Sequence, residues 1–275
     1  MRELGYVEDK GIVVIRRSAE GDLARLPDLA VQIAKERPDV IVAVTSAAAI
    51  AAKQATSTVP IVVVGSSDPI GTGLVGNLAH PTGNVTGTST LTASAAGKLI
   101  ELVRQLLPGA QRVAAFWDPV NAASQQLRLG ETLIAAAKLG LLVRIIELRK
   151  AHDLDVAFAA LDSERPDAVM ATGDTFFLAN AERVGQLGIA HRLPVFSSSR
   201  VLTEAGSLAS YGPDQAALAR RSAIYVQKIL NGAKPSDLPI EQPTKFEVVV
   251  NARTAKSLGI SLPQSILLRA DRVIQ

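Results

Sequence analysis

The sequence predicts an α/β protein of two lobes, each built on a parallel sheet flanked by helices. Three observations predict it. Short apolar, β-branched runs alternate with helix-forming segments along most of the chain, the pattern of successive βαβ units. Most of these runs lack in/out alternation, which suits strands covered on both faces. Finally, four or five strands are expected before residue 91 and five more between 112 and 211, and two smaller sheets suit that count better than one large one.

Residues 1–10 read as the tail of a helix closed by Gly5, followed by a strand at Gly11 to Arg16. Leu23 to Glu36 places Leu26, Leu29, Ala30 and Ile33 on one helical face. The stretch from Pro38 to Val75 is a strand, helix, strand unit: Val40 to Val44 and Ile61 to Val64 flank an alanine-rich helix. Thr45 and Ser46 stand where that helix opens, with side chains able to cap it, and Ser66-Ser67-Asp68-Pro69 ends the second strand. A breaker-rich loop, Gly76 to Thr86, leads to a short strand within Asn84 to Thr90. A second series follows, with strands at Arg112 to Trp117, Leu142 to Leu148, Ala168 to Ala171, Pro194 to Ser198 and Ser207 to Tyr211. The helices between them are Ala95 to Leu107, Ala122 to Leu139, Leu154 to Ser163 and Phe177 to His191. A long helix, Asp214 to Leu230, and a proline-rich connection precede a last strand, Phe246 to Val250.

Composition narrows the function classes. The chain has 275 residues, 48% of them hydrophobic and 20% charged, so it buries a sizeable core and is not a disordered segment. The net charge of +3 is modest for this length and its basic residues are dispersed, which argues against nucleic acid as a partner. With no cysteine, disulfides and thiolate chemistry are excluded, and both cytosol and periplasm remain open. No apolar run reaches transmembrane length and the first residues, MRELGYVEDKG, carry no export signal.

Enzyme signatures are missing or weak. Gly71-Thr72-Gly73-Leu74-Val75-Gly76 matches the dinucleotide fingerprint literally, but it does not join a strand to a helix and no carboxylate follows at the required distance, so a turn is the better reading. His80, His152 and His191 lack metal-ligand spacing, and there is no nucleophile elbow, Walker lysine or zincin helix. No cofactor or metal is expected. What remains is a set of polar residues at strand ends: Thr45, Ser46, Ser66, Ser67, Asp68, Asp118, Asn121, Asp174, Thr175, Ser197, Ser198 and Ser199. In open α/β sheets ligands lie beyond the carboxyl ends of strands, so the set marks a small-molecule site even though each member could equally be a helix cap. The helix start at Ser46, Ala47 and Ala48 suits a carboxylate, and Asp118 or Asp174 suits an ammonium; the pair would recognise an amino acid. Phe116, Trp117, Phe176, Phe177, Phe196 and Tyr211 are the aromatic candidates for an amino acid ring, and core packing accounts for most of them.

Several blocks carry a resemblance that runs almost end to end: RELGYVEDKGIVV, AKQATSTVPIVVVGSSDPIGTGLV, HPTGNVTGTS, ELVRQLLPGAQRVAAFWDPVN, HRLPVFSS, EAGSLASYGPD and the final ILNGAKPSDLPIEQPTKFEVVVNARTAKSLGISLPQSILLRADRVI. The chain resembles the substrate-binding proteins of ABC transporters, in the branch that includes tryptophan-binding proteins. The resemblance implies the type I periplasmic binding fold, two Rossmann-like lobes joined by three crossings near Thr88 to Ala93, Ser210 to Asp214 and Pro239 to Phe246. It assigns residues 1–90 and 213–243 to one lobe and 91–212 to the other, with 244–275 near the third crossing. It implies a non-enzymatic, monomeric, periplasmic protein that closes on a small solute and delivers it to an ABC permease. By position it places Thr45, Ser46, Ser67, Asp68, Asp118, Asn121, Asp174 and Thr175 at the ligand, with Ala47, Ser66, Ser198 and Tyr211 beside them. It also implies that relatives carry an export segment, a first strand and most of a helix ahead of Arg2, that strand lying between Gly11–Arg16 and Val40–Val44. The rival readings on the same fold are an enzyme of nucleotide or sugar metabolism and a sensor module.

Overall fold

The structure, a computed structural model, describes residues 1–90, 92–119 and 122–275. The chain divides into two compact units, Met1–Leu91 with Asp214–Thr244, and Thr92–Pro213 with Lys245–Gln275.

In the first unit, α1 (Leu26–Lys35) leads into β1 (Ile41–Val44), α2 (Ser46–Ala55), β2 (Ile61–Ser66) and β3 (Val85–Ser89), and the strands pair in parallel in the order β1-β2-β3. Period-2 side-chain alternation sorts them between two cores. Ile41, Ala43, Ile61, Val63 and Val85 pack against Ala49 and Ala52 of α2 and against Leu74 and Val75. On the other face, Val62 meets Tyr225, Val226 and Ile229 of a helix that returns from the end of the second unit's first segment, Gln215–Leu230.

Three expectations are corrected here. Gly11 to Arg16 forms no strand: Ile12 makes a single bridge to Glu8, Val13 is 83% exposed, and the segment pairs with no strand among the described residues. Apolar β-branched residues favour extended backbone, but without a ladder partner there is no strand. The helix tail expected ahead of Gly5 is a 3-10 turn at Arg2–Leu4, closed by Gly5 in the left-handed conformation as expected. The reading of β1 as covered on both faces also fails. Val42 and Val44 are 49% and 61% exposed, because the Gln215–Leu230 helix packs on β2 and β3 and leaves that face of β1 open.

The unit is completed by Leu238 to Glu241, which runs along β3 with Ser89 N donating to Glu241 O at 2.8 Å and Glu241 N to Gly87 O at 3.0 Å. Arg221 donates from Nε and Nη2 to the Glu241 carboxylate, and Tyr225 donates to Pro239 O at 2.6 Å. The guanidinium holds the Glu241 carboxyl below its ordinary value of 4.5. A depressed folded-state pKa stabilises above the unfolded value and is lost as pH falls through the folded one. Urea melts of wild type and Glu241→Gln should therefore differ most at neutral pH and converge below the ordinary 4.5. Both partners are partly exposed, so the difference should be about 1 kcal/mol or less and should shrink with salt.

The second unit holds a seven-stranded sheet. Its elements are α3 (Thr92–Leu106), β4 (Arg112–Trp117), α4 (Ala122–Lys138), β5 (Leu142–Glu147), α5 (Ala151–Glu164) and β6 (Ala168–Ala171), then α6 (Thr175–Ala179), α7 (Ala181–Ala190), β7 (Val195–Ser197), α8 (Arg200–Glu204) and β8 (Ala209–Pro213). The helix Gln215–Leu230 of the first unit is α9; β9 (Phe246–Asn251), α10 (Ala252–Leu258), α11 (Gln264–Arg269) and β10 (Arg272–Ile274) then return to the second. The strand order is β10-β9-β8-β7-β6-β4-β5, parallel except at β8 and β9. Val113, Ala168, Met170 and Phe196 point to a core with α3 and α4, while Ala114, Phe116, Val169, Ala171 and Val195 point to one with α5 and α7. Burial on both sides is why these strands read as continuous apolar runs.

Three further departures concern this unit. The single helix expected from Phe177 to His191 is two, broken at Asn180, where Asn180 N bonds Phe176 O and Phe177 O. The antiparallel pairing of β8 with β9, at registers such as Tyr211 with Val248, was not expected in a parallel sheet. Residues 252–274, unassigned on the sequence, form two short helices and an edge strand; their apolar faces are only a turn or two long, too short for periodicity to declare.

Candidate functional site

Each unit presents a polar cluster at the carboxyl ends of its parallel strands. In the first unit the cluster is knitted by Ser46. This side chain is buried, and its Oγ lies 3.0 Å from Ser66 Oγ and 3.1 Å from Ser67 Oγ while accepting from Ser67 N at 3.0 Å. It therefore joins the start of α2 to the end of β2 and does not cap the helix, as the sequence had suggested. Thr45 does not cap it either: it makes no side-chain cap bond and sits at φ 83°, ψ 162°, a region nearly restricted to glycine. Ala47 follows, half-buried, in the first turn of α2.

Holding a threonine at that φ costs on the order of 1–3 kcal/mol. Thr45→Gly should relieve the strain and, after the extra entropy of a glycine in the unfolded chain, raise stability by about 1 kcal/mol in a urea melt. An unchanged or lowered midpoint would show that the side chain repays its own strain.

Asp68 organises the loop that follows. Its Oδ1 accepts from Gly71 N at 2.8 Å, and its carbonyl accepts from Thr72 Oγ1 at 2.5 Å. Residues 69–73 are turns, pinned by Lys53 Nζ to Gly73 O at 2.7 Å, and no helix begins between 69 and 76. The glycine motif is a turn and cannot present the helix start that a dinucleotide needs.

In the second unit the relevant strand ends are those of β4, β6 and β7. The chain leaves β4 through α4 to β5 on one side and returns by α5 to β6 on the other, so the strand order reverses between β4 and β6. A ligand crevice belongs at such a switch point. A cavity of about 30 Å³ lies there, lined by apolar groups of α3, β4 and β6, such as Ala95, Trp117 and Met170, and by Arg128, Thr172 and Ser198.

Asp174 follows β6 and is 7% exposed. It caps α6 by accepting from Phe177 N at 3.2 Å and also accepts from Thr172 Oγ1 at 2.5 Å. Burial pushes its carboxyl above the ordinary value, against the Thr172 hydrogen bond, the Arg128 charge and the backbone N–H groups, which act the other way. Thr175 opens α6, half-buried. Ser198 Oγ accepts from Gly173 N at 3.0 Å, which ties the end of β7 to the end of β6; a Cβ on Gly173 would lie 2.8 Å from Ser199 Cβ. Ser199 caps α8 through Val201 N, and Ser197 Oγ accepts from Ser199 N.

The structure thus brings Thr45, Ser46, Ala47, Ser66, Ser67 and Asp68 together in one unit, and Asp174, Thr175 and Ser198 in the other. Asp118 is buried immediately beyond β4. Asn121 lies outside the described residues. Tyr211 stands apart, stacked on Phe246 with ring centroids 5.6 Å apart. Phe116, Phe176, Phe177 and Phe196 are core: Phe116 and Phe158 meet edge to face at 5.2 Å. Trp117 alone of the six aromatic candidates lines the cavity while partly exposed.

The sequence reading missed Arg128, which is 7% exposed on α4. Its Nε is buried with no hydrogen-bond partner among the described residues, and burial lowers its pKa against the opposing charge of Asp174. A signal was available. Arg128, Thr132 and Ala136 are spaced four apart and all buried, so the arginine continues the inward stripe of an amphipathic helix.

Comparison with known proteins fixes the family. The chain is 24% identical over 260 residues to the tyrosine-binding protein of Clostridioides difficile strain R20291, covering 94% of this chain and 74% of that one. It superposes with TM-score 0.91 and 30% identity on a conserved domain protein from Vibrio cholerae O1 biovar eltor, covering 99% and 90% of the two chains. It superposes with TM-score 0.90 and 27% identity on the ABC domain from Streptococcus pneumonia in complex with L-Trp, covering 99% and 91%. These are folds of the type I periplasmic binding class, as the sequence resemblance implied. The sequence model of the ABC transporter substrate binding proteins matches residues 1–274, and the chain belongs to that family.

Proposed function

We propose that this protein is the solute-capturing component of an ABC importer, that its solute is an amino acid with an aromatic side chain, and that recognition of the solute's carboxylate is the main polar interaction. The observation that carries this reading is the match, over 99% of the chain, to a solved relative holding L-Trp. The name of the tyrosine-binding relative points the same way. The chemistry agrees: strand ends of both units carry hydroxyl groups and backbone N–H donors suited to a small polar solute, and a family of binding proteins has no need of a nucleophile and base. Capture proceeds by closure of the two units about the solute, whose differential contacts with the closed state repay the ordering of the connections. The partner is an ABC permease, and the site of action is the periplasm, where the protein works as a monomer. Among the described residues, no helix is long and apolar enough to cross a membrane.

The test is calorimetry and thermal shift with L-tryptophan, L-tyrosine, L-phenylalanine and their decarboxylated amines, with small-angle scattering on the same samples. At a hundredfold excess over Kd, a solute should stabilise by about 2.7 kcal/mol and reduce the radius of gyration. Amines that bind as well as the amino acids would refute the carboxylate, and turnover of any of them would refute the binding role.

A further inference from the structure

The geometry points to Arg128 as the group that receives the solute's carboxylate, in the cavity at the strand-order reversal of the second unit. This goes beyond the helix start of the first unit as the anion site, and it rests on the reading that the solute carries a carboxylate. A guanidinium stays protonated at any physiological pH, so it cannot escape burial by losing its charge. Arg128 is 7% exposed, and its Nε is buried without a partner among the described residues. The carboxylate whose charge it feels, Asp174, is itself committed to Thr172 Oγ1 and Phe177 N. Leaving a buried charge imperfectly paired is expensive, and chains retain such a group where something else completes the pair.

The cavity that Arg128 lines supplies the place. A space of about 30 Å³ is room for roughly two waters, or for the two oxygens of one carboxylate, and is too small for an aromatic ring. Its walls are largely apolar, which strengthens a charge-assisted hydrogen bond inside it. Ser198 also lines it. Because Ser198 Oγ accepts from Gly173 N, its own O–H is left to donate, giving an anion a second donor from a different strand end. Thr132, one turn along α4, spends its hydroxyl on Arg128 O and steadies the helix backbone beneath the guanidinium. Trp117 flanks the same cavity and is partly exposed, in position for the ring of a solute whose carboxylate is held inside.

Arg128→Met takes away a buried, poorly paired charge and also the charge that opposes the burial of Asp174, so the stability of the free protein does not decide the assignment and affinity does. The same substitution should weaken L-tryptophan and L-tyrosine at least a hundredfold in calorimetry, with Arg128→Lys falling between because an ammonium keeps the charge without the fork. Sodium acetate, compared with sodium chloride at equal ionic strength, should raise the melting temperature of wild type and not of Arg128→Met. If Arg128→Met binds the amino acids within threefold of wild type, or acetate stabilises both proteins alike, the arginine is not the carboxylate receptor. A wild type that binds tryptamine as tightly as L-tryptophan would instead remove the carboxylate reading and this assignment together. Should Arg128→Met fail to fold, Arg128→Lys decides by the same comparison: full affinity for the amino acids would overturn the assignment.

Discussion

Gly87→Ala is expected to cost about 4 kcal/mol or more and to unfold the first unit ahead of the second. Two effects act at this position. The backbone is at φ 133°, where any side chain is strained, and a Cβ would lie 2.1 Å from Val63 O and 2.6 Å from Val63 N. Those are backbone atoms of the neighbouring strand at the register pair Val63 with Gly87, so no rotamer change can make room. β3 would have to leave β2, losing the bonds from Glu241 N to Gly87 O and from Ser89 N to Glu241 O. Gly83→Ala is the internal control. Gly83 has φ 90° but open space around its Cβ position, so alanine there meets the strain alone, about 1 kcal/mol. Urea melts of both variants separate the contact from the conformation; equal losses would mean that β3 moves aside at little cost.

Much of this fold was legible in the sequence, because in buried parallel strands the apolar runs and the strands coincide. Arg112 to Trp117 and Ala168 to Ala171 were read with the ends they have in the structure. What stayed hidden depended on neighbours far away in the chain. Gly11 to Arg16 has the composition of a strand and no strand to pair with, and nothing local records that. β8 and β9 each read as strands, but whether they run parallel or antiparallel is set by where the chain returns after α9. The candidate site divides in the same way. The serines and aspartates were legible as strand-end residues because position alone marks them. Their separate roles were not: Asp68 and Ser199 serve turns and caps, whereas Ser46 joins two segments 20 residues apart. Arg128 was passed over because a charge in a helix reads as surface unless the inward stripe is traced through it. Once Thr132 and Ala136 are placed on the buried face, the arginine must follow them inward.

Ser46→Ala should have the largest effect of any conservative change in the first unit's cluster, a loss of about 2–4 kcal/mol. Ser46 is 4% exposed and its hydroxyl serves three partners, Ser66 Oγ, Ser67 Oγ and Ser67 N. Removing it saves little apolar burial and strands its partners. Ser66 is fully buried, so its hydroxyl would lose this partner where water does not reach, and each buried group left unsatisfied costs about 1–3 kcal/mol. Ser67→Ala is expected to cost less than about 1 kcal/mol, because Ser67 is half-buried and solvent can take its place. The double variant Ser46→Ala/Ser66→Ala carries the sharper test. Deleting both ends of one buried hydrogen bond leaves less unsatisfied than deleting one, so the double loss should fall short of the sum of the single losses by 0.5 kcal/mol or more, as expected for residues in direct contact. Strict additivity would mean that the two hydroxyls act independently, and that the start of α2 and the end of β2 are held in place by the packing of Ala49 and Val63 and not by Ser46.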